Sequence, residues 1–181
     1  MTISETDLPG VLLIAPKIYK DNRGAFWETF HLGRMTAAGL PSNWVQDNSS
    51  ISKKNVVRGL HYQVSHPQGK LVRVVQGAAL DVAVDLRRSS ATFGRHVAIE
   101  LSEENAYMLW IPVGFGHGFQ ALTDAVTLAY KVTDEYCPAG ERTILWSDPA
   151  LAIPWRVSPE EAIVSAKDAQ GALLRDAEVF A

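Results

Sequence analysis

The feature that most constrains this chain is the rhythm of its apolar residues. Short runs rich in Val, Ile, Leu and aromatic side chains recur at Val11–Ile18, Ala25–His31, Val56–Gln63, Leu71–Gln76, Ala78–Leu86, His96–Leu101, Tyr107–Ile111, Gly116–Leu122 and Val126–Thr133. Turn-forming clusters separate them: Asp21-Asn22-Arg23-Gly24, Pro67-Gln68-Gly69, Gln76-Gly77, Arg88-Ser89-Ser90, Ser102-Glu103-Glu104-Asn105 and Pro112-Val113-Gly114. Runs this short, punctuated this often, are strands rather than helices. Nine of them at close spacing predict an all-β sandwich or barrel.

Helical patterning is weaker and peripheral. Leu32–Ala38 suits a short helix, and Ser158-Pro159-Glu160-Glu161 reads as an N-cap, a proline at the first helical position and acids in the first turn. With 181 residues and neither an internal repeat nor a low-complexity linker, one domain is expected. The net charge of −3 argues against a general affinity for nucleic acid or an anionic membrane, so any anionic ligand must be held by local Arg and Lys. Cys137 is the only cysteine, which rules out an internal disulfide and favours a reducing compartment. The first residues, MTISETDLPG, lack the basic and apolar segments of a secretory signal, and no run approaches the ~20 apolar residues of a membrane span. A cytoplasmic protein is the expectation.

Chemistry-bearing residues concentrate in Gln46-Asp47-Asn48-Ser49-Ser50, Arg58-Gly59-Leu60-His61-Tyr62-Gln63 and Gln68-Gly69-Lys70-Leu71-Val72-Arg73. A histidine exchanges protons near neutral pH, and a neighbouring ammonium or guanidinium stabilises an oxyanion or holds a phosphate. The same residues also suit the solvated face of a sheet. Arg58 and His61 have opposite parity, so they share a face only with a bulge or twist near Gly59. Tyr130 shares parity with Val126, Leu128 and Val132, so its phenol points inward, either as a core hydroxyl bonded to backbone or as a general acid. His117 sits among glycines in Gly114–Phe119, compatible with a packed turn or a ligand contact, and Asp168 suits either a cap or a partner for a histidine.

The histidines, at 31, 61, 66, 96 and 117, form no His-x-His pair, and Gln63 stands where a second ligand next to His61 would be needed. This spacing argues against a metal site. No Gly-rich dinucleotide fingerprint follows a strand either.

In order and spacing these segments, together with Asp21–Phe30, Asp81–Arg87, Leu109–Pro112, Tyr130-Lys131, Asp134–Tyr136, Glu141-Arg142 and Lys167-Asp168, resemble the dTDP-4-dehydrorhamnose 3,5-epimerase family from about Gly10 to about Leu174. The resemblance implies a cupin-type jelly roll, a homodimer and no cofactor. Its implied layout is a single epimerase domain over residues 1–181, with a core at about 45–135, N-terminal strands at about 11–31 joining the dimer, and a segment at about 140–181 packing on the core. The implied substrate is a dTDP-linked 4-keto-6-deoxyhexose. His61 takes the proton alpha to the ketone, Asp168 orients His61, Lys70 stabilises the enolate and Tyr130 reprotonates the opposite face. Arg23, Glu28, Gln46, Asp47, Asn48, Arg58, His117, Glu141 and Lys167 fall on substrate-contact positions, and Tyr136 on the residue that stacks against thymine. Arg23 and Glu28 are expected to reach the partner's site. Related enzymes epimerise C3 only, C5 only or both, so the implied reaction is double epimerisation, with a single-position epimerase as the alternative. A non-catalytic or metal-dependent cupin is the reading from a different class.

Overall fold

A computed structural model describes all 181 residues. Fourteen strands dominate it: β1 (Thr2–Glu5), β2 (Leu12–Ala15), β3 (Tyr19–Asp21), β4 (Gly24–Phe26), β5 (Gln46–Lys53), β6 (Val56–Gln63), β7 (Lys70–Gln76), β8 (Ala78–Asp85), β9 (His96–Ser102), β10 (Met108–Ile111), β11 (Phe115–Ala121), β12 (Ala125–Val132), β13 (Glu141–Thr143) and β14 (Ile163–Val164). Helix is limited to α1 (Leu32–Ala37), α2 (Ala166–Ala169) and two single 3-10 turns. No helix is long and apolar enough to cross a membrane.

The strands build two facing sheets, in the orders β1-β2-β10-β7-β12-β5 and β13-β6-β11-β8-β9, with β14 added parallel to β6. The other pairings in these sheets are antiparallel. This is the expected jelly-roll sandwich. Between the sheets lies a core that includes Val72, Val74, Ala83, Leu109, Phe119 and Leu128.

Alternation decides which side chains enter that core. Along β8, Ala79, Asp81 and Ala83 face inward, while Leu80, Val82 and Val84 face out onto a second cluster with Leu151, Leu174 and Ala177 from the C-terminal segment. Both faces of β8 are therefore covered, which explains why it reads as one unbroken apolar run. The outer face of the other sheet is covered by α1 through Met35, which packs with Ile14, Leu71, Met108 and Trp110.

Two expectations need correction, and one strand carried no expectation. The run Ala25–His31 supplies only the short strand Gly24–Phe26, paired with β3 in a hairpin outside both sheets. No helix starts at Ser158: its carbonyl accepts from Glu161 and Ala162 in a single turn, after which the chain extends into β14. The N-cap is Ser165 instead, whose hydroxyl accepts from the Asp168 N–H. The polar stretch at Gln46, marked above only for its chemistry, is an eight-residue strand paired along its length with β12.

Candidate active site

The site begins where β6 and β11 come unusually close. A Cβ on Gly59 would lie 2.6 Å from Gly118 Cα and 2.7 Å from the His117 carbonyl oxygen, and one on Gly118 would lie 2.6 Å from the Arg58 carbonyl oxygen. Gly59 also has φ of +112°, a conformation that disfavours any side chain. Two glycines in contact thus let the backbones touch. Here the register slips: His61 pairs with His117 but Arg58 pairs with Phe119, so β6 uses three steps where β11 uses two. The extra residue is a bulge, and it cancels the parity difference between Arg58 and His61. Both line one cavity of about 190 Å³, together with Lys70, His117, Tyr130 and Ser50.

His61 Nε2 lies 2.6 Å from Asp168 Oδ1, although the two residues are 107 positions apart. Asp168 is buried at the start of α2, and its other oxygen accepts from the Gly59 N–H at 3.2 Å. Burial alone pushes the Asp168 carboxyl upward, but the hydrogen bonds from His61, Gly59 and Ser165 outweigh it and hold it below the usual carboxylate range. An ionised Asp168 keeps the imidazole proton on Nε2 and leaves Nδ1 as the acceptor.

His117 makes a second such pair on the same inner face. Its Nε2 lies 2.9 and 3.1 Å from the two oxygens of Asp81, which is completely buried. Lys70 enters from the opposite sheet; its ammonium makes a long 3.5 Å contact to the His61 carbonyl and no ion pair with a carboxylate. Burial lowers Lys70 to about 8, opposed by the negative charges of Asp81 and Glu141. Tyr130 comes from β12, and burial raises its phenol, opposed in part by the Arg58 guanidinium. Arg58 itself is held by Ser52 Oγ at 3.0 Å and the Ile51 carbonyl at 3.2 Å. No cluster of three or more His, Cys, Asp and Glu side chains suited to a metal ion occurs in the chain.

Polar groups in a small cavity between two sheets do not by themselves specify a reaction, so similarity to known proteins carries weight. Residues 5–176 match the family model described as dTDP-4-dehydrorhamnose 3,5-epimerase. The chain belongs to this family. It is 45% identical over 181 residues to the dTDP-4-dehydrorhamnose 3,5-epimerase of Pseudomonas aeruginosa, covering 99% of each chain. Its fold is similar to the crystal structure of a dTDP-6-deoxy-D-glucose-3,5-epimerase from Legionella pneumophila in complex with dTDP-4-keto-L-rhamnose, at a TM-score of 0.94, 46% identity and coverage of 98% and 94%. It is also similar to the crystal structure of the Sulfolobus tokodaii dTDP-4-dehydrorhamnose 3,5-epimerase, at a TM-score of 0.91 and 48% identity over the whole of both chains.

The remaining positions marked by resemblance to the epimerase family divide into two groups. Gln46 and Asn48 share the inner face of β5 and are hydrogen-bonded to each other at 2.7 Å, while Gln46 Oε1 accepts from the Tyr136 N–H. Half-exposed Tyr136 donates its hydroxyl to Glu141 at 2.8 Å, and Glu141 is ion-paired with Lys167. Burial pushes Glu141 upward, but Lys167 and Tyr136 together hold it below its ordinary value. These groups form a polar rim adjoining His61 and Asp168. Asp47, Arg23 and Glu28 lie elsewhere within one chain. Strand alternation turns Asp47 to the outer face, where it pairs with Lys131 at 2.8 Å. Arg23 caps the β3–β4 hairpin against Asp21 at 2.6 Å, and Glu28 pairs with Arg34 at 2.5 Å. The sequence reading gave no role to Asp81 or Ser50, although both fell in segments it marked, and it passed over Ser52. Asp81 alone carried a signal, a carboxylate in the middle of a strand buried on both faces.

Proposed function

We propose that His61, Lys70 and Tyr130 carry out the family reaction in this cavity, epimerising dTDP-4-dehydro-6-deoxy-D-glucose at C3 and C5 to dTDP-4-dehydro-L-rhamnose. The observation that carries this reading is a histidine on one sheet, backed by a buried carboxylate, sharing a small cavity with a tyrosine and a lysine from the other sheet. The C3 and C5 hydrogens are acidic because the 4-keto group delocalises the carbanion. His61 Nδ1 takes the proton as the C–H electrons move into the carbonyl, forming an enolate. Lys70 stabilises the enolate oxygen; a preorganised donor of this kind contributes about 3–4 kcal/mol to the transition state. Tyr130 gives its proton to the opposite face of the carbon, and Asp168 holds the imidazole in the reactive orientation. The description of the family and the names of its relatives favour epimerisation at both carbons over a single one.

At about 190 Å³ the cavity is smaller than the ~300–1,000 Å³ of sites that enclose a whole drug-sized ligand. The sugar therefore occupies it and the nucleotide extends along the rim, with Tyr136 against the thymine and Gln46, Asn48, Glu141, Lys167, His117 and Arg58 as polar contacts. Arg58 is free of any carboxylate partner, which suits it to the diphosphate. The proposed unit is a homodimer in which the β3–β4 hairpin, with exposed Tyr19 and Phe26, and the segment after it carry Arg23 and Glu28 towards the partner's site. Asp47 stays a proposed contact only at that shared boundary. The single cysteine supports a reducing, cytoplasmic setting.

The test is incubation with dTDP-4-keto-6-deoxyglucose in deuterated water, read by NMR. Deuterium at both C3 and C5 is expected, and label at one carbon only would replace the double reading with the single-position one. In Tyr130→Phe, proton exchange at the His61 face should persist while inversion fails; equal losses of both would make Tyr130 a structural residue.

A further inference from the structure

Asp81 has no part in the scheme above, yet it is the most costly residue in the site to bury. It is completely inaccessible at the middle of β8, and the only side chain bonded to its carboxylate is His117. An ionised carboxylate out of water must be compensated by charge as well as by hydrogen bonds. A neutral imidazole supplies an N–H and no charge. The cation that completes the balance is Lys70, which enters the same cavity from the facing sheet and has no carboxylate within ion-pair reach.

We propose that Asp81 is a positioning residue for the epimerase reaction: beneath the cavity it fixes the His117 ring through Nε2 and provides the buried negative charge against which the Lys70 ammonium is retained. Both Asp81 oxygens share the His117 nitrogen, and Lys70 lines the same cavity as His117 from the facing sheet. Burial opposes the Lys70 cation, and Asp81 is the largest influence that favours it, ahead of Glu141. The other ionisable groups around Lys70 are His61 and Arg58 from β6, His117 from β11 and Tyr130 from β12. Glu141 lies on β13, and Asp168 and Lys167 on α2 are paired with His61 and Glu141 respectively. Of the other carboxylates, Glu141 is already paired with the Lys167 ammonium and Asp168 is bonded by both His61 and the Gly59 N–H, whereas Asp81 is bonded by His117 alone. Loss of the Asp81 charge should therefore release the Lys70 proton at still lower pH, since burial already lowers the cation's pKa and a nearby negative charge opposes that lowering.

This inference rests on the epimerase reading, and the experiment separates the two. The pH dependence of kcat/KM is measured for the wild type, Asp81→Asn and Lys70→Arg. An alkaline inflection near 8 is expected for the wild type. In Asp81→Asn it should move down by about one pH unit or more, and in Lys70→Arg it should vanish because guanidinium stays charged. An inflection unmoved in Asp81→Asn, or retained in Lys70→Arg, overturns the proposal. Should Asp81→Asn not fold, 15N NMR of the wild type decides: His117 protonated on Nε2 above neutral pH is expected, and the Nδ1–H tautomer overturns it. A wild type that leaves C3 and C5 unlabelled in deuterated water would overturn the epimerase reading itself.

Discussion

The two histidine–carboxylate pairs stand side by side on β6 and β11, in direct register, and differ mainly in what surrounds them. In the His117–Asp81 pair both side chains come from neighbouring strands of one sheet and are 8% and 0% exposed. In the His61–Asp168 pair the carboxylate comes from a C-terminal helix, and the His61 side chain is 30% exposed. Asp168 has several donors, including the Gly59 N–H, whereas Asp81 has His117 alone. Equal hydrogen-bonding chemistry is thus put to different uses. The more open pair can exchange protons with a ligand, and the pair buried between strands holds its imidazole in a fixed place at the cavity wall.

The sharpest way to break this comparison is to remove one histidine at a time. His61→Ala should lower kcat by roughly 10³-fold or more, with little change in Tm, because the ring is partly solvated. Solvent deuterium incorporation and thermal melting check the two halves of that statement. A smaller chemical effect, about 10²-fold, is expected for Asp168→Asn, which keeps the shape but not the charge that orients the ring. The same variant has a pH signature. The Asp168 carboxyl is held below its ordinary value, so its contribution to stability is present above about pH 4 and is lost as the pH falls through the folded value. The acid limb of the stability curve should therefore be shallower in Asp168→Asn, as denaturant melts between pH 3 and 6 will show.

Breaking the buried pair should cost stability first. His117→Ala leaves Asp81 buried without its hydrogen-bond partner, a loss of about 3 kcal/mol and several degrees in Tm, larger than any stability change in His61→Ala. The smallest effect is expected beside the open pair. Thr143 is paired with His61 across β13 and β6, and its buried hydroxyl has no partner. Thr143→Val should be neutral or stabilising by less than about 1 kcal/mol, with activity within roughly twofold of the wild type. A large loss of activity would show that His61 depends on more than Asp168.

Legibility followed burial. The strands with a clean apolar rhythm, such as β8 and β12, were readable because one or both of their faces enter a core. The β5 strand was not, since one of its faces lines the polar cavity and the other meets solvent, leaving Gln46–Lys53 with no hydrophobic alternation. Ser158-Pro159-Glu160-Glu161 carries every local mark of a helix start, yet the next residues pair with β6, and a tertiary hydrogen-bonded strand overrode a short local preference. Arg58 and His61 were expected to share a face only through a bulge near Gly59, and the β6–β11 contact supplies it.

What the sequence determined by itself was the class of fold, the family resemblance and the chemical types assembled for the reaction. These are local properties: apolar period, turn residues and the order of short motifs. The tertiary structure alone decided which of those residues meet. His61 and Asp168 lie 107 positions apart, Lys70 and Tyr130 come from the sheet opposite His61, and Asp47 is turned away from Asn48 by a single step of the strand. It also exposed Asp81, whose burial follows from the strands and segments that cover β8 on both faces rather than from anything adjacent to it in the chain. Proximity and desolvation are properties of packing, and packing joins residues that no local pattern relates.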